Sequence, residues 1–322
     1  LDIATSAHLD TGEWRRLVEQ DEAATFFHTP AWSELLTSTL PGFRSSQITA
    51  REQTQVVGVM PVLERAHAGA TTIESMAFGT FGGPIVATGS PAGTGAALLS
   101  GFSEVARSVR VGLAVVVDRS GRVTPEQLPG FVHERGTVQV VRLDADYDEL
   151  QRRFRPSARN KIRKARKAGV RVRRAVGEAD FLEYHRVLEI CSRDWKIRPR
   201  PGMEFFVAMS ALDPESVQMW LATDEAGDVI AGDLNFVSHG TIMNWGNVST
   251  DAAKSLAPNN LLHAKAIEQG VADGHSVYDL GSSGGLEGVR KFKSSFGTED
   301  VAITRFVREK GWYRAAKRVA RR

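Results

Sequence analysis

The apolar period along this 322-residue chain switches repeatedly between that of a helix and that of a strand. "EWRRLVEQ" is spaced as a short amphipathic helix. In "FFHTPAWSELLTSTL", Trp32, Leu35, Leu36 and Leu40 recur at helical spacing, with Thr29 placed to cap before Pro30 and Pro41 to stop the helix. "FRSSQITARE", "VVGVMPVLER" and "TTIESMAF" read as strands between polar or glycine turns. A helix, "GTGAALLSGFSEVARS", and the strands "GLAVVVD" and "TVQVVRL" follow.

The second half repeats the grammar. "SVQMWLATDE", "VIAGDLNFVS" and "TIMNWGNVS" are successive strands, then "APNNLLHAKAIEQGVADG" is a helix. The strand "SVYDLG", a glycine loop, the helix "EGVRKFKSSFG" and the strand "VAITRFV" come next. "VVGVMPVLE" and "VIAGDLNFV" hint at duplication. The expected boundary lies near Asp144–Asp148, giving domains 1–145 and 146–322.

Composition adds bounds. Hydrophobic residues are 42% and charged residues 25%, enough apolar material for sizeable cores without disulfides or structural metal. Cys191 is the single cysteine and can form no internal disulfide. No run of eighteen apolar residues predicts a membrane span. The cytoplasm is the expected compartment, and the start at Leu1 leaves open whether residues were removed.

The formal net charge of +3 hides a local excess. From Arg152 to Arg174 there are twelve Lys or Arg and no acid. Phe154, Ala158, Ile162 and Ala165 form one narrow apolar stripe on a helix that Gly169 ends as a C′ residue. With no acid at i±4 to relieve the repulsion, that basic face suits a polyphosphate partner.

Other stretches carry candidate chemistry. "VYDLGSSGGLEGVRKFKSSFG" is strand, glycine loop and helix, a geometry that offers backbone N–H groups to an anion or a developing oxyanion. It is not a dinucleotide-binding G-x-G-x-x-G. Asp279 ends the strand, either orienting an amine or accepting its proton, or simply bonding a turn. Strict alternation in "NWGNV" puts Trp245 and Asn247 on one side and Asn244 and Gly246 on the other, as pocket lining or as satisfied sheet amides. The loop "SRDWKIRPRPGMEFF" either touches an acceptor or packs. Histidine spacing predicts no metal site, and neither a G-x-S-x-G elbow nor the context of Cys191 supports a covalent intermediate.

The basic helix, "NNLLHAKAIEQGVADG", "VYDLG" and "EGVRKFKSSFG" together resemble, in order, the landmarks of the FemABX-like transferases of the GNAT superfamily. "FFHTPAWSE" adds a weaker one. The resemblance spans Tyr147 to Val307. It implies a mixed α/β (α+β) fold of two tandem GNAT-like domains, each a largely antiparallel mixed sheet flanked by helices. It also implies acyl transfer to an amine. The best-known branch takes an amino acid from aminoacyl-tRNA and extends a peptidoglycan precursor; related branches aminoacylate small molecules or peptides in natural-product pathways. The long coiled-coil insertion of some peptidoglycan members has no counterpart here. By the same resemblance, Arg159, Lys161, Arg163 and Lys164 match the phosphate-binding segment, and Lys293 matches a lysine beside the reacting carbonyl. Arg290, Lys291, Trp245 and Asn247 complete the binding candidates, with Asp279 as Lys293's catalytic companion.

The expected activity is therefore an aminoacyl-tRNA-dependent aminoacyltransferase that makes an amide bond by direct attack, with charged tRNA as co-substrate and no resident cofactor. An acyl-CoA-dependent N-acyltransferase is the alternative. Such enzymes carry a Q/R-x-x-G-x-G/A loop, whereas "STDAAKSLAPNN" at that place has no glycine and "GSPAGTGAALL" in the first half matches only partly. A non-catalytic RNA-binding protein would explain the basic helix but leaves Lys293 without a role.

Overall fold

The computed structural model describes residues 1–6, 8–67, 69–194 and 201–320. They form two compact units, Leu1–Gly136 with Ala302–Arg322, and Thr137–Val301.

The first unit contains β1 (Asp2–Ser6), α1 (Thr11–Gln20), α2 (Pro30–Thr39), β2 (Phe43–Glu52), β3 (Gln55–His67), β4 (Ala70–Ser75), β5 (Ile85–Val86), α3 (Thr94–Arg107) and β6 (Val111–Asp118). It is completed from the chain's far end by β13 (Glu299–Glu309) and α10 (Gly311–Ala320). β1 to β4 pair antiparallel in order, β4 pairs parallel with β6, and β6 pairs antiparallel with residues 304–309. Thr29 caps α2 as expected, its Oγ1 accepting from the Trp32 amide at 3.2 Å. Residues 56–63 of β3 are continuously buried, as a central strand covered on both faces must be.

The second unit holds the end of β7 (Val132–Arg142), then α4 (Tyr147–Arg153), α5 (Pro156–Lys167), β8 (Arg171–Arg174), α6 (Gly177–Asp194) and α7 (Met203–Met209). β9 (Val217–Thr223), β10 (Val229–Ser238), β11 (Thr241–Ser249), α8 (Pro258–Ala272), β12 (Val277–Asp279) and α9 (Glu287–Ser294) follow. β8 to β11 pair antiparallel in order, β11 pairs parallel with β12, and β12 pairs antiparallel with residues 140–142 of β7. The strand pattern is that of the first unit, and β3 and β10, the suspected duplicated pair, occupy the same place in it.

The contact division differs from the sequence division at 145/146. Residues 137–145 go with the second unit because β7 pairs with β12, and residues from 302 onward return to the first because β13 pairs with β6.

The basic helix docks as its stripe requires. Phe154, Ala158, Ile162 and Ala165 are all buried, packed in one core with Leu262, Ala266 and Phe296. Gly169 adopts φ +70°, and the 169 and 170 amides donate to the carbonyls of 166 and 165, the paired bonds of a Schellman ending. On the opposite sheet face the buried Tyr184 ring lies on two glycines: an added Cβ would sit 2.5 Å from the ring at Gly232 and 2.6 Å from the hydroxyl at Gly246.

Gly232→Ala is expected to destabilise by about 1–3 kcal/mol, because a buried ring and a central strand must both shift. Gly288→Ala, where a Cβ meets only open space, should be neutral or slightly stabilising. Urea unfolding midpoints of the two variants check the contrast.

Candidate active site

β11 and β12 pair over only three residues, Thr241–Met243 against Val277–Asp279, after which β11 runs on unpaired on that side. Pairing with β10 slips at the same level, from Leu234↔Gly246 to Asn235↔Asn244, leaving Trp245 as a bulged extra residue. The bulge corrects the expected facing. Trp245 packs against Phe205 and Phe236 with ring centroids 5.8 and 5.9 Å away, on the face where Gly246 meets Tyr184. Asn244 and Asn247 instead share the opposite face, where both donate to one carboxylate.

That carboxylate is Asp233, completely buried in β10. Its Oδ1 accepts from Asn244 Nδ2 at 2.6 Å and Asn247 Nδ2 at 3.1 Å; its Oδ2 accepts from Asn235 Nδ2 at 3.0 Å and Tyr278 Oη at 3.2 Å. His263 Nδ1 of α8 lies 2.6 Å from Tyr278 Oη and 3.8 Å from Asp233. Burial holds the His263 imidazole below its usual pKa, and burial with the nearby Asp233 charge pushes the Tyr278 phenol well above its own. The groups that donate to Asp233 are thus all neutral dipoles. Sequence reading missed it, although an Asp and an Asn inside the otherwise apolar "VIAGDLNFV" were the available signal.

At the open end of the two strands the chain turns through the glycine loop. Asp279, buried, accepts from the Gly281 amide at 2.7 Å. Gly281 adopts φ +73°, a conformation that favours glycine. Lys293 reaches back from α9 and donates through Nζ to the carbonyls of Gly281 at 3.1 Å and Ser282 at 2.8 Å. A Cβ built on Gly281 would stand 3.6 Å from the Asn244 carbonyl and 3.9 Å from Lys293 Nζ, so the ammonium borders the gap where β11 and β12 part. Burial lowers its pKa to about 8 against the opposing pull of Asp279.

Gln139 of β7, also missed, clamps this loop. Its Nε2 donates to Ser294 Oγ at 2.8 Å and Thr298 Oγ1 at 3.2 Å, and its Oε1 accepts from Ser283 at 2.9 Å. The loop's orientation is therefore set from a strand distant in sequence.

The remaining candidates lie elsewhere. Arg290 pairs with Asp300 at 2.9 Å and Lys291 with Glu287 at 3.6 Å, both largely exposed. The basic run divides in two. Arg153, Arg173 and Arg174 find acids in Asp144 and Glu149, Asp180 and Glu215. On α5, Arg159 bonds the Arg152 carbonyl and Arg163 bonds Asn160, while Lys161, Arg163 and Lys164 are exposed; among the described residues none of these four forms an ion pair. In the loop "SRDWKIRPRPGMEFF", positions 195–200 lie outside the described residues.

Ahead of α8, Ala252–Leu256 forms a short 3₁₀ helix. The amides of Ala253, Lys254, Ala257 and Asn260 donate to the carbonyls of Thr250, Asp251, Lys254 and Ala257. Donors that a glycine-rich loop would turn toward a pyrophosphate are consumed locally.

Residues 152–294 match the family described as Acetyltransferase (GNAT) domain. The structure of FemX aligns over 97% of this chain and 98% of its own, with a TM-score of 0.72 at 15% identity. The fold is that of the FemX structure. L-PGS from Bacillus licheniformis aligns over 93% of this chain and 92% of its own, with a TM-score of 0.63 at 10% identity. A tandem GNAT protein from the clavulanic acid biosynthesis pathway covers 96% of this chain and 98% of its own, with a TM-score of 0.60 at 13% identity. No curated protein matches by sequence. Among the described residues, no helix is long and apolar enough to cross a membrane.

Lys293 is expected to titrate near pH 8 in NMR of ¹³C-methylated protein. Asp279→Asn removes the charge that favours the ammonium form, so the midpoint should move lower; a midpoint that rises or stays in place contradicts the geometry.

Proposed function

We propose that this protein is an aminoacyl-tRNA-dependent aminoacyltransferase, joining an amino acid to the amine of a small molecule, peptide or peptidoglycan precursor. The observation that carries the reading is the placement of Lys293, an ammonium fixed by two carbonyls at the open end of β11 and β12. The amine's lone pair attacks the ester carbonyl of the aminoacyl group, and the C–N bond forms as the carbonyl oxygen becomes an oxyanion. Lys293 donates a hydrogen bond to that oxyanion. Collapse breaks the C–O bond to the terminal ribose, whose oxygen leaves with the proton that the amine gives up, directly or through water. No covalent enzyme intermediate is required, and Asp279 orients the attacking amine.

The unpaired cations of α5 support tRNA as the donor carrier, since a dense basic face gains affinity by releasing counterions from a phosphate backbone. The likeness to FemX supports the same class of chemistry. The locally consumed amides ahead of α8 weigh against acyl-CoA, whose pyrophosphate needs donors there.

Turnover with a charged tRNA pool and candidate amines, and none with acetyl-CoA, is the expected result; the reverse overturns the proposal. Lys293→Ala should lower kcat about 100-fold or more while leaving tRNA affinity nearly unchanged. The wild-type rate should fall as pH rises through about 8, because the ammonium is the active form, and Lys293→Arg should move that falling limb upward. Reversing the charges of Lys161 and Lys164 should weaken tRNA binding and reduce the slope of log K against log salt by about two. An unchanged slope removes α5 from the interface.

A further inference from the structure

The two asparagines on Asp233 have an orientation that follows from chemistry. A carboxylate only accepts, so each amide must turn its NH₂ toward Asp233 and its carbonyl oxygen away. Asn244 Nδ2 is further fixed by donating to the side-chain Oδ1 of Asn235 at 3.1 Å. Both asparagines are half-buried. Neither Oδ1 accepts a bond from a described residue, and neither is among the buried side-chain atoms without a partner. Both oxygens therefore remain available as acceptors.

Asn244 stands where β11 and β12 part, its backbone carbonyl close to Gly281, and Asn247 follows three residues farther along β11. The titratable groups here are Asp233, Asp279 and Lys293, with His263 kept neutral by burial. Two acids thus face one cation. Among the described residues Asp233 has four neutral donors and no cationic partner, so its negative end is felt wherever the amide dipoles lead out.

We propose that the carbonyl oxygens of Asn244 and Asn247 form a subsite for a primary ammonium group, with Asp233 as the positioning residue that aims them. The subsite deepens the aminoacyl-transfer reading and takes its biological ligand from it. The ammonium belongs either to the α-amino group of the transferred amino acid or to the incoming acceptor before it loses a proton. In the first case the pair would exclude acyl groups that lack a free amine, since an unoccupied pair of desolvated carbonyls is penalised.

Three small probes separate these sources without tRNA. Glycine ethyl ester carries ammonium and ester, ethyl glycolate has a hydroxyl in place of the ammonium, and ethylamine lacks the ester. In protein labelled with ¹⁵N-asparagine, the side-chain amide signals of Asn244 and Asn247 should shift with glycine ethyl ester and not with ethyl glycolate. A shift that requires the ester as well assigns the subsite to the donor; an equal shift with ethylamine assigns it to the acceptor. Equal responses to glycine ethyl ester and ethyl glycolate, or no response to any probe, overturn the proposal. Asp233→Asn, which can donate and so lets the amides reverse, should weaken glycine ethyl ester binding about tenfold or more. Should that variant not fold, Asn247→Leu carries the test, and wild-type affinity in it overturns the assignment. Absence of turnover with charged tRNA would defeat the aminoacyl reading and leave these binding results standing, so the two failures are distinguishable.

Discussion

One extra residue in β11 organises the second unit. The bulge at Trp245 coincides with the end of pairing to β12, turns two asparagines onto one carboxylate and leaves Gly246 beneath Tyr184. Without that slip, alternation would send Asn244 and Asn247 to opposite faces, and Asp233 would keep fewer donors. A buried carboxylate so depleted is strongly unfavourable. The bulge and the buried charge therefore stabilise each other, and the open end of the strands is their joint product.

Around that opening the protein assigns different tasks to different distances in sequence. The glycine loop supplies the turn, α9 returns Lys293 to the loop's own carbonyls, and Gln139 holds loop and helix from a strand more than a hundred residues earlier. Lys293 is desolvated enough to lose part of its preference for charge, yet Asp279 restores some of it. An ammonium poised this way can stabilise a transient negative charge with little rearrangement.

Much of this was legible beforehand. Strands with apolar runs, the Thr29 cap and the α5 stripe with its Gly169 ending all follow from local rules, because each is decided by residues within a few positions. Asp233 escaped because nothing local distinguishes an acid that will be buried from one at a strand end. Gln139 escaped because its partners lie near residue 290. The facing of Trp245 was misread because period-two alternation cannot register a bulge, whose cause is the tertiary demand of the carboxylate. Likewise Arg153, Arg173 and Arg174 looked unrelieved because their acids lie outside the 152–174 run, Glu149 four residues before Arg153, Asp180 seven after Arg173, and Glu215 farther along the fold for Arg174.

The return of the chain's last strand to the first unit has a consequence for synthesis. β6 lacks its antiparallel neighbour until residues 304–309 have left the ribosome. The first unit, made earliest, is thus completed last, and its unpaired strand edge stays available to wrong partners throughout translation of the second. Chain order and folding order run in opposite directions here, so damage to residues 304–309 is felt first at β6.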